Sequence, residues 1–219
     1  MSILDSSKIQ FIELLLSNSV LQVGDFTLKS GRRCPYFFNL GSINSGASLA
    51  QLGAAYADTI LASNTDFDVL FGPAYKGIPI ATTAAVALAG AGCDIGVAYN
   101  RKEAKAHGEG GQLVGADVTG RVMLVDDVLT SGKAIREAAA LLSDSDATIV
   151  GAVIALDRQE VGPSGTSAVQ GLAETLQAPV VSILSFADIV TYLQAHPLDS
   201  LSSDDLDRFL AYQKEYCTF

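Results

Sequence analysis

The chain has 219 residues, 49% hydrophobic and 17% charged, with a formal net charge of −10. The length suits one domain, 1–219, with a sizeable core, while the acidic surplus excludes general binding to nucleic acid or an anionic membrane and leaves room for an anionic substrate at a local basic cluster. Three scattered cysteines and two histidines argue against a structural zinc site; with no signal-peptide start and no apolar run of roughly 20 residues, a cytoplasmic protein without a membrane partner is predicted.

Ser7 is expected to cap a first helix with Ile9, Ile12, Leu16 and Val20 at helical spacing. Short strands are expected at 26–29 and 36–40, around the turn-forming Ser30-Gly31, and then a helix over 47–61. Val69-Leu70-Phe71 reads as a buried strand, closed by Gly72-Pro73, with a helix from about Ile78. Residues 95–99, 122–125, 149–156 and 180–184 read as further buried strands, the last two followed by helical stretches. Apolar strands alternating with helices predict a largely parallel sheet covered on both faces. The chain closes with an amphipathic helix capped near Ser202-Ser203, with Leu206, Phe209 and Leu210 on one face. No internal repeat or low-complexity linker interrupts it.

Residues 101–115, RKEAKAHGEGGQLVG, break this rhythm. Their low apolar content and several glycines cannot anchor them in a core. They hold Arg101, Lys102 and Lys105, three of the 14 Lys and Arg, together with His107. A solvated loop is the ordinary reading of such a run. Its place after a parallel strand, in an acidic chain, favours a lid over an anion.

The segment Val122 to Ala134, VMLVDDVLTSGKA, carries the central signal. Four apolar residues form a strand, with Asp126 and Asp127 where it is expected to leave the sheet. The turn Thr130-Ser131-Gly132 then opens a helix running through Ile135 and Leu141. A helix N-terminus presents unpaired amides and the positive end of its dipole, and a glycine lets that backbone approach a phosphate. The carboxylates would repel phosphate, so ribose hydroxyls and a nearby cation are their natural partners. Neither a Walker A loop, which needs glycine at Asp127 and a hydroxyl at Ala134, nor a G-x-G-x-x-G is present. A merely structural reading, with Thr130 or Ser131 as N-cap, explains the turn but not the paired carboxylates.

This segment resembles the phosphoribosyl pyrophosphate signature of the type I phosphoribosyltransferases. LKSGR at 28–32, PYFFN at 35–39, GPAYKGIP at 72–79, RKEAKAHGEGG at 101–111 and LDR at 156–158 narrow the resemblance to the orotate phosphoribosyltransferases. The signature alone says only that a phosphoribosyl group is bound; the 101–111 and 72–79 segments are far more selective. The resemblance implies the type I fold: a central, mostly parallel sheet flanked by helices, with a small hood formed by about 1–45 and a flexible catalytic lid over about 101–115. It implies that orotate and phosphoribosyl pyrophosphate give orotidine 5′-phosphate, with Mg²⁺ held mainly through substrate oxygens near Asp126 and Asp127. It also implies a homodimer whose lids reach into the neighbouring site.

By the same resemblance, Val128, Leu129, Thr130, Ser131, Gly132, Lys133 and Ala134 bind the donor, Thr130 to Ala134 cradling its 5′-phosphate, while Asp126 and Asp127 hold the ribose hydroxyls. Tyr75 and Lys76 belong to a pyrophosphate loop whose backbone this family often strains, a cis bond before Tyr75 being one form. Lys29 reaches the donor from a strand near the base. Arg101, Lys102, Lys105 and His107 face the leaving pyrophosphate, with Lys105 the most rate-determining. Phe37 and Phe38 border the orotate ring with Thr130; successive strand residues face opposite sides, so only one of the two side chains can lie on the base. Arg158 is the best discriminator, because a guanidinium grips a carboxylate with two parallel hydrogen bonds. Its ordinary alternative is a strand-end ion pair to Asp157 or Glu160. A purine or uracil salvage enzyme is a weaker reading, disfavoured by Arg158 and the lid. A phosphoribosyl-sensing DNA regulator should carry a basic module, which this acidic chain does not offer.

Overall fold

The computed structural model describes residues 4–28, 31–103, 112–129, 132–143, 145–162, 165–196 and 202–218. Helix α1 (Ser6–Ser17) opens on Asp5, whose carboxylate accepts the Lys8 amide at 2.8 Å. Asp5 replaces Ser7 as the expected cap, and the Ser7 hydroxyl itself donates to Asp5. A carboxylate here satisfies a free amide and also meets the positive end of the helix dipole. Val20, expected on this helix, lies past its end, buried at the entry to β1 (Leu21–Thr27).

Strand β1 pairs antiparallel with β2 (Arg33–Phe38), with a register shift between Val23 and Phe26. Both strands start and stop earlier than the apolar runs at 26–29 and 36–40 suggested. Cross-strand pairing draws Gln22 and Arg33 into the ladder, and Leu40 falls into a short 3-10 turn, Leu40–Ser42. Of the expected turn between them, Gly31 is described and has φ +83°, while Ser30 lies outside the described residues.

The chain continues through α2 (Gly46–Ala62), β3 (Val69–Gly72), α3 (Gly77–Gly90), β4 (Gly96–Asn100), β5 (Leu113–Gly115), β6 (Gly120–Val128) and α4 (Lys133–Leu142). It ends with β7 (Ala147–Asp157), α5 (Ala168–Leu176), β8 (Val180–Ser185), α6 (Phe186–Ala195) and α7 (Ser203–Tyr216). Six strands form one sheet in the order β5-β4-β3-β6-β7-β8. All neighbours are parallel except β5, which runs against β4. Two expectations change here. Residues 113–115, expected in the lid, are an edge strand, too short to show any period. Asp126, Asp127 and Val128 lie inside β6 instead of beyond it, because the eleven-residue β7 extends the ladder to the pair Val128–Leu156.

Met123, Val125, Val153 and Ala155 point into the larger core, which includes Tyr56 of α2 and Leu88 of α3. Val122, Leu124, Ala152 and Ile154 point into a smaller core with Ile135 of α4 and Leu172 of α5. This alternation is what a sheet covered on both faces requires. Gly53 lets α2 lie hard against α3: a Cβ there would stand 2.4 Å from the Thr83 carbonyl oxygen. The β1–β2 hairpin docks through Tyr36, which stacks on Phe186 of α6 and Phe209 of α7. On α7 the inward residues are Leu206, Phe209 and Tyr212; Leu210, expected among them, is exposed, because the aromatic contacts with Tyr36 set the rotation of the helix. No described helix is long and apolar enough to cross a membrane.

Candidate active site

From β3 the chain passes to β4 on one side, and then returns to place β6 on the other. Open parallel sheets bind ligands in the crevice at such a reversal, beyond the carboxyl ends of the strands. Two loops meet there. The first follows β3: Gly72 and Gly77 face each other so closely that a Cβ on Gly72 would stand 2.1 Å from the Gly77 carbonyl oxygen. Between them the Ala74–Tyr75 peptide is cis, and the Ala74 amide donates to Asn100 Oδ1 at 3.0 Å. Tyr75 is 66% exposed, and the Lys102 ammonium lies 4.8 Å from its ring centroid.

The second loop follows β6. Asp126 and Asp127 are both buried, and the Tyr56 hydroxyl donates to the Asp126 carbonyl at 2.7 Å. Lys76 Nζ donates to Asp127 Oδ2 at 2.6 Å, so one contact ties the β3 loop to the β6 carboxylates. Burial, and next the charge of Asp127, push the Asp126 carboxyl up to about 7, against the opposing Asp127 amide and Lys76. A raised carboxyl favours the folded state when protonated. Its stabilising effect is complete below pH 4 and is lost as the pH rises through about 7. Asp126→Asn can keep the bond from the Asp127 amide without the charge. The ligand-free variant is therefore expected to gain stability over the parent between pH 5 and pH 8. Thermal unfolding at both pH values checks this; equal losses in the two proteins would contradict it.

Beyond Val128 and the buried Leu129, Gly132 takes φ +62° as the N-cap of α4, with no capping side chain among the described residues. The first turn thus starts from the flexible residue, with Lys133 exposed and Ala134 half-buried. Thr130 and Ser131 lie outside the described residues, as do Lys29, Lys105 and His107. Arg101, at the start of the expected lid, is fastened by its amide to the Gln112 carbonyl at 2.7 Å.

The residues expected to border the base lie on β2 and just past β7. Phe37 is 42% exposed and Phe38 packs against the core, the opposite facing expected of neighbours in a strand. Arg158 follows β7, two residues past the pair Val128–Leu156, and its guanidinium lies 5.0 Å over the Tyr36 ring. It forms the ion pair weighed as its ordinary alternative: Nε and Nη2 donate to Glu160 Oε1 at 2.8 and 2.5 Å. Arg32 binds the other oxygen of the same carboxylate. Two guanidiniums therefore share one carboxylate.

Three residues were missed. Tyr56 and Asn100 are ordinary helix and strand residues in one dimension, and only their hydrogen bonds mark them. Arg136 places a guanidinium nitrogen 3.3 Å from where a Cβ on Gly132 would stand. A cation four residues after a phosphate-loop glycine, on the same helix face, was a legible signal.

Residues 39–175 match the phosphoribosyl transferase domain family. An orotate phosphoribosyltransferase of Pectobacterium carotovorum is 53% identical over 208 residues, covering 94% of this chain and 96% of the relative. The chain belongs to the orotate phosphoribosyltransferases. The Francisella tularensis orotate phosphoribosyltransferase structure superposes with a TM-score of 0.84 at 40% identity, covering 95% of this chain and all of that one. A Mycobacterium tuberculosis orotate phosphoribosyltransferase solved with phosphoribosyl pyrophosphate superposes at 0.63 and 25% identity, over 84% and 98% of the two chains.

Proposed function

We propose that this chain transfers the 5-phosphoribosyl group of phosphoribosyl pyrophosphate to orotate, yielding orotidine 5′-phosphate and pyrophosphate in pyrimidine synthesis. The observation that supports the reading is the Lys76–Asp127 contact, which sets the loop after β3 beside the carboxylates of β6 at the reversal of the sheet. Asp126 and Asp127 hold the ribose hydroxyls, Val128 and Leu129 line the donor site, and Thr130 to Ala134 receive the 5′-phosphate. Lys29, Tyr75 and Lys76 complete the donor site. Phe37, Phe38 and Thr130 border the orotate ring, and Arg158 takes its carboxylate.

The two buried carboxylates are oxygen donors only, which fits Mg²⁺, an ion that keeps most of its ligands from substrate and water. Such an ion supplies positive charge beside the departing pyrophosphate. Among the described residues no cluster of three or more metal-ligating side chains exists, so substrate oxygens would provide the remaining ligands. Pyrophosphate leaves C1 of the ribose as the pyrimidine nitrogen attacks the opposite face, the proton of that nitrogen being given up to solvent. Charge builds on the leaving group, so Arg101, Lys102, Lys105 and His107 lower the barrier when the lid closes and expels water. We take 1–219 as one domain with a hood of about 1–45, acting as a cytoplasmic homodimer in which each lid serves its neighbour.

Orotate absorbance followed with phosphoribosyl pyrophosphate and Mg²⁺, with and without protein, tests this directly. Orotate is expected to be consumed, while hypoxanthine, adenine and uracil are not. Turnover of any of those three without turnover of orotate overturns the assignment.

A further inference from the structure

Glu160 is a hub. Its Oε1 accepts the Tyr212 hydroxyl at 2.6 Å as well as Nε and Nη2 of Arg158, while Oε2 accepts from Arg32. Burial pushes this carboxyl up, but Arg158, Tyr212 and Arg32 outweigh that and hold it below the ordinary range. It is therefore ionised at neutral pH, and each of these bonds is charge-assisted.

The backbone beside the hub is gripped by the end of the chain. Gln159 has φ +55°, and its carbonyl accepts the Thr218 amide at 2.7 Å. Val161 donates to the Tyr216 carbonyl at 2.8 Å, and Cys217 Sγ lies 3.6 Å from the Arg158 carbonyl. Glu160 and Cys217 form an isolated antiparallel bridge. Arg32 is stacked on the same helix, 5.4 and 4.8 Å from the Tyr212 and Tyr216 ring centroids. The floor under Arg158 is the Tyr36 ring, itself packed on Phe209 of α7. Side chain, main chain and floor are thus all held by residues 209–218, remote in sequence from every motif of the site.

We infer that α7 and the residues after it are a positioning element of the pyrimidine site, acting through Glu160 to hold Arg158 in the orientation that grips the base's carboxylate. Tyr212 and Glu160 are positioning residues; they touch the arginine, not the substrate. Arg32 deepens the effect. By taking the second oxygen of Glu160 it leaves the three groups with an excess positive charge, which suits an anionic base and penalises a neutral one. This rests on the reading of Arg158 as the orotate carboxylate ligand.

Steady-state kinetics of the full-length chain, with each substrate varied in turn, tests it. Tyr212→Phe deletes one hydroxyl at constant ring volume. It is expected to raise the orotate KM about tenfold, as loss of a bond to an ionised group implies, with kcat and the phosphoribosyl pyrophosphate KM unchanged. Thr218→Pro removes the amide that binds Gln159 and is expected to move the same constant alone. Thermal unfolding of Tyr212→Phe should remain a single cooperative transition, its midpoint lowered by only about 3–6 °C through loss of that one bond. An unchanged orotate KM in both variants, or a joint rise of both KM values, overturns the inference if Arg158→Met still raises the orotate KM. An Arg158→Met variant with the parent's orotate KM removes the underlying reading instead, and the inference with it.

Discussion

Replacing Lys105 by alanine is expected to cut turnover by about a hundredfold to a thousandfold while changing donor affinity far less. The ammonium is assigned to oxygens that become more negative as pyrophosphate departs, so its interaction strengthens between bound substrate and transition state. Single-turnover rates set against the dissociation constant of phosphoribosyl pyrophosphate measure the two effects separately. A rate equal to the parent's would remove the lid from the chemistry. The same variant tests whether sites are shared. In a dimer with exchanged lids, a hybrid of Lys105→Ala with Asp127→Asn has one site with both lesions and one with neither. Random exchange of two inactive proteins in equal amounts makes half the dimers hybrid, so about a quarter of the parent activity should return. Absence of recovery after proven exchange would assign each lid to its own subunit.

Arg158→Met should raise the orotate KM by about a hundredfold, in line with losing one member of a buried, hydrogen-bonded charge pair. The physical reason is visible in the cluster. Arg32 and Arg158 carry two positive charges against the single carboxylate of Glu160. An arriving carboxylate relieves the excess, whereas uracil, which lacks that group, leaves it uncompensated. Methionine keeps length and apolar contact with Tyr36 but removes the charge. Discrimination between orotate and uracil should fall in parallel with orotate affinity, while the KM for phosphoribosyl pyrophosphate changes little. Competition of uracil against orotate measures this, and an undiminished preference for orotate would place the carboxylate elsewhere.

The sheet was largely readable in one dimension because buried parallel strands must be continuously apolar: 69–71, 95–99, 122–125, 149–156 and 180–184 all lie within or overlap observed strands. Gly132, the glycine of the expected turn, was readable because a residue without a side chain beyond hydrogen tolerates the positive φ it adopts at the start of α4, while Thr130 and Ser131 lie outside the described residues. Elements whose existence depends on a partner escaped. The three-residue β5 exists through pairing with β4, β6 runs through Asp127 because β7 lies alongside, and Leu210 lost its place on the buried face of α7 to Tyr212.

From the residues alone came the alternation of strand and helix and the glycine-containing turn expected before α4, which follow from local periodicity and from the chemistry of single residues. The expected list of charged side chains around that turn came from resemblance to family segments. Contacts between distant segments were settled only in three dimensions: Lys76 on Asp127, Asn100 under Ala74, Tyr56 beneath Asp126, and the last turn of the chain locked around Arg158. A hydrogen bond between residues 26 to 70 positions apart leaves no period in the chain, since its geometry comes from how the sheet stacks its strands.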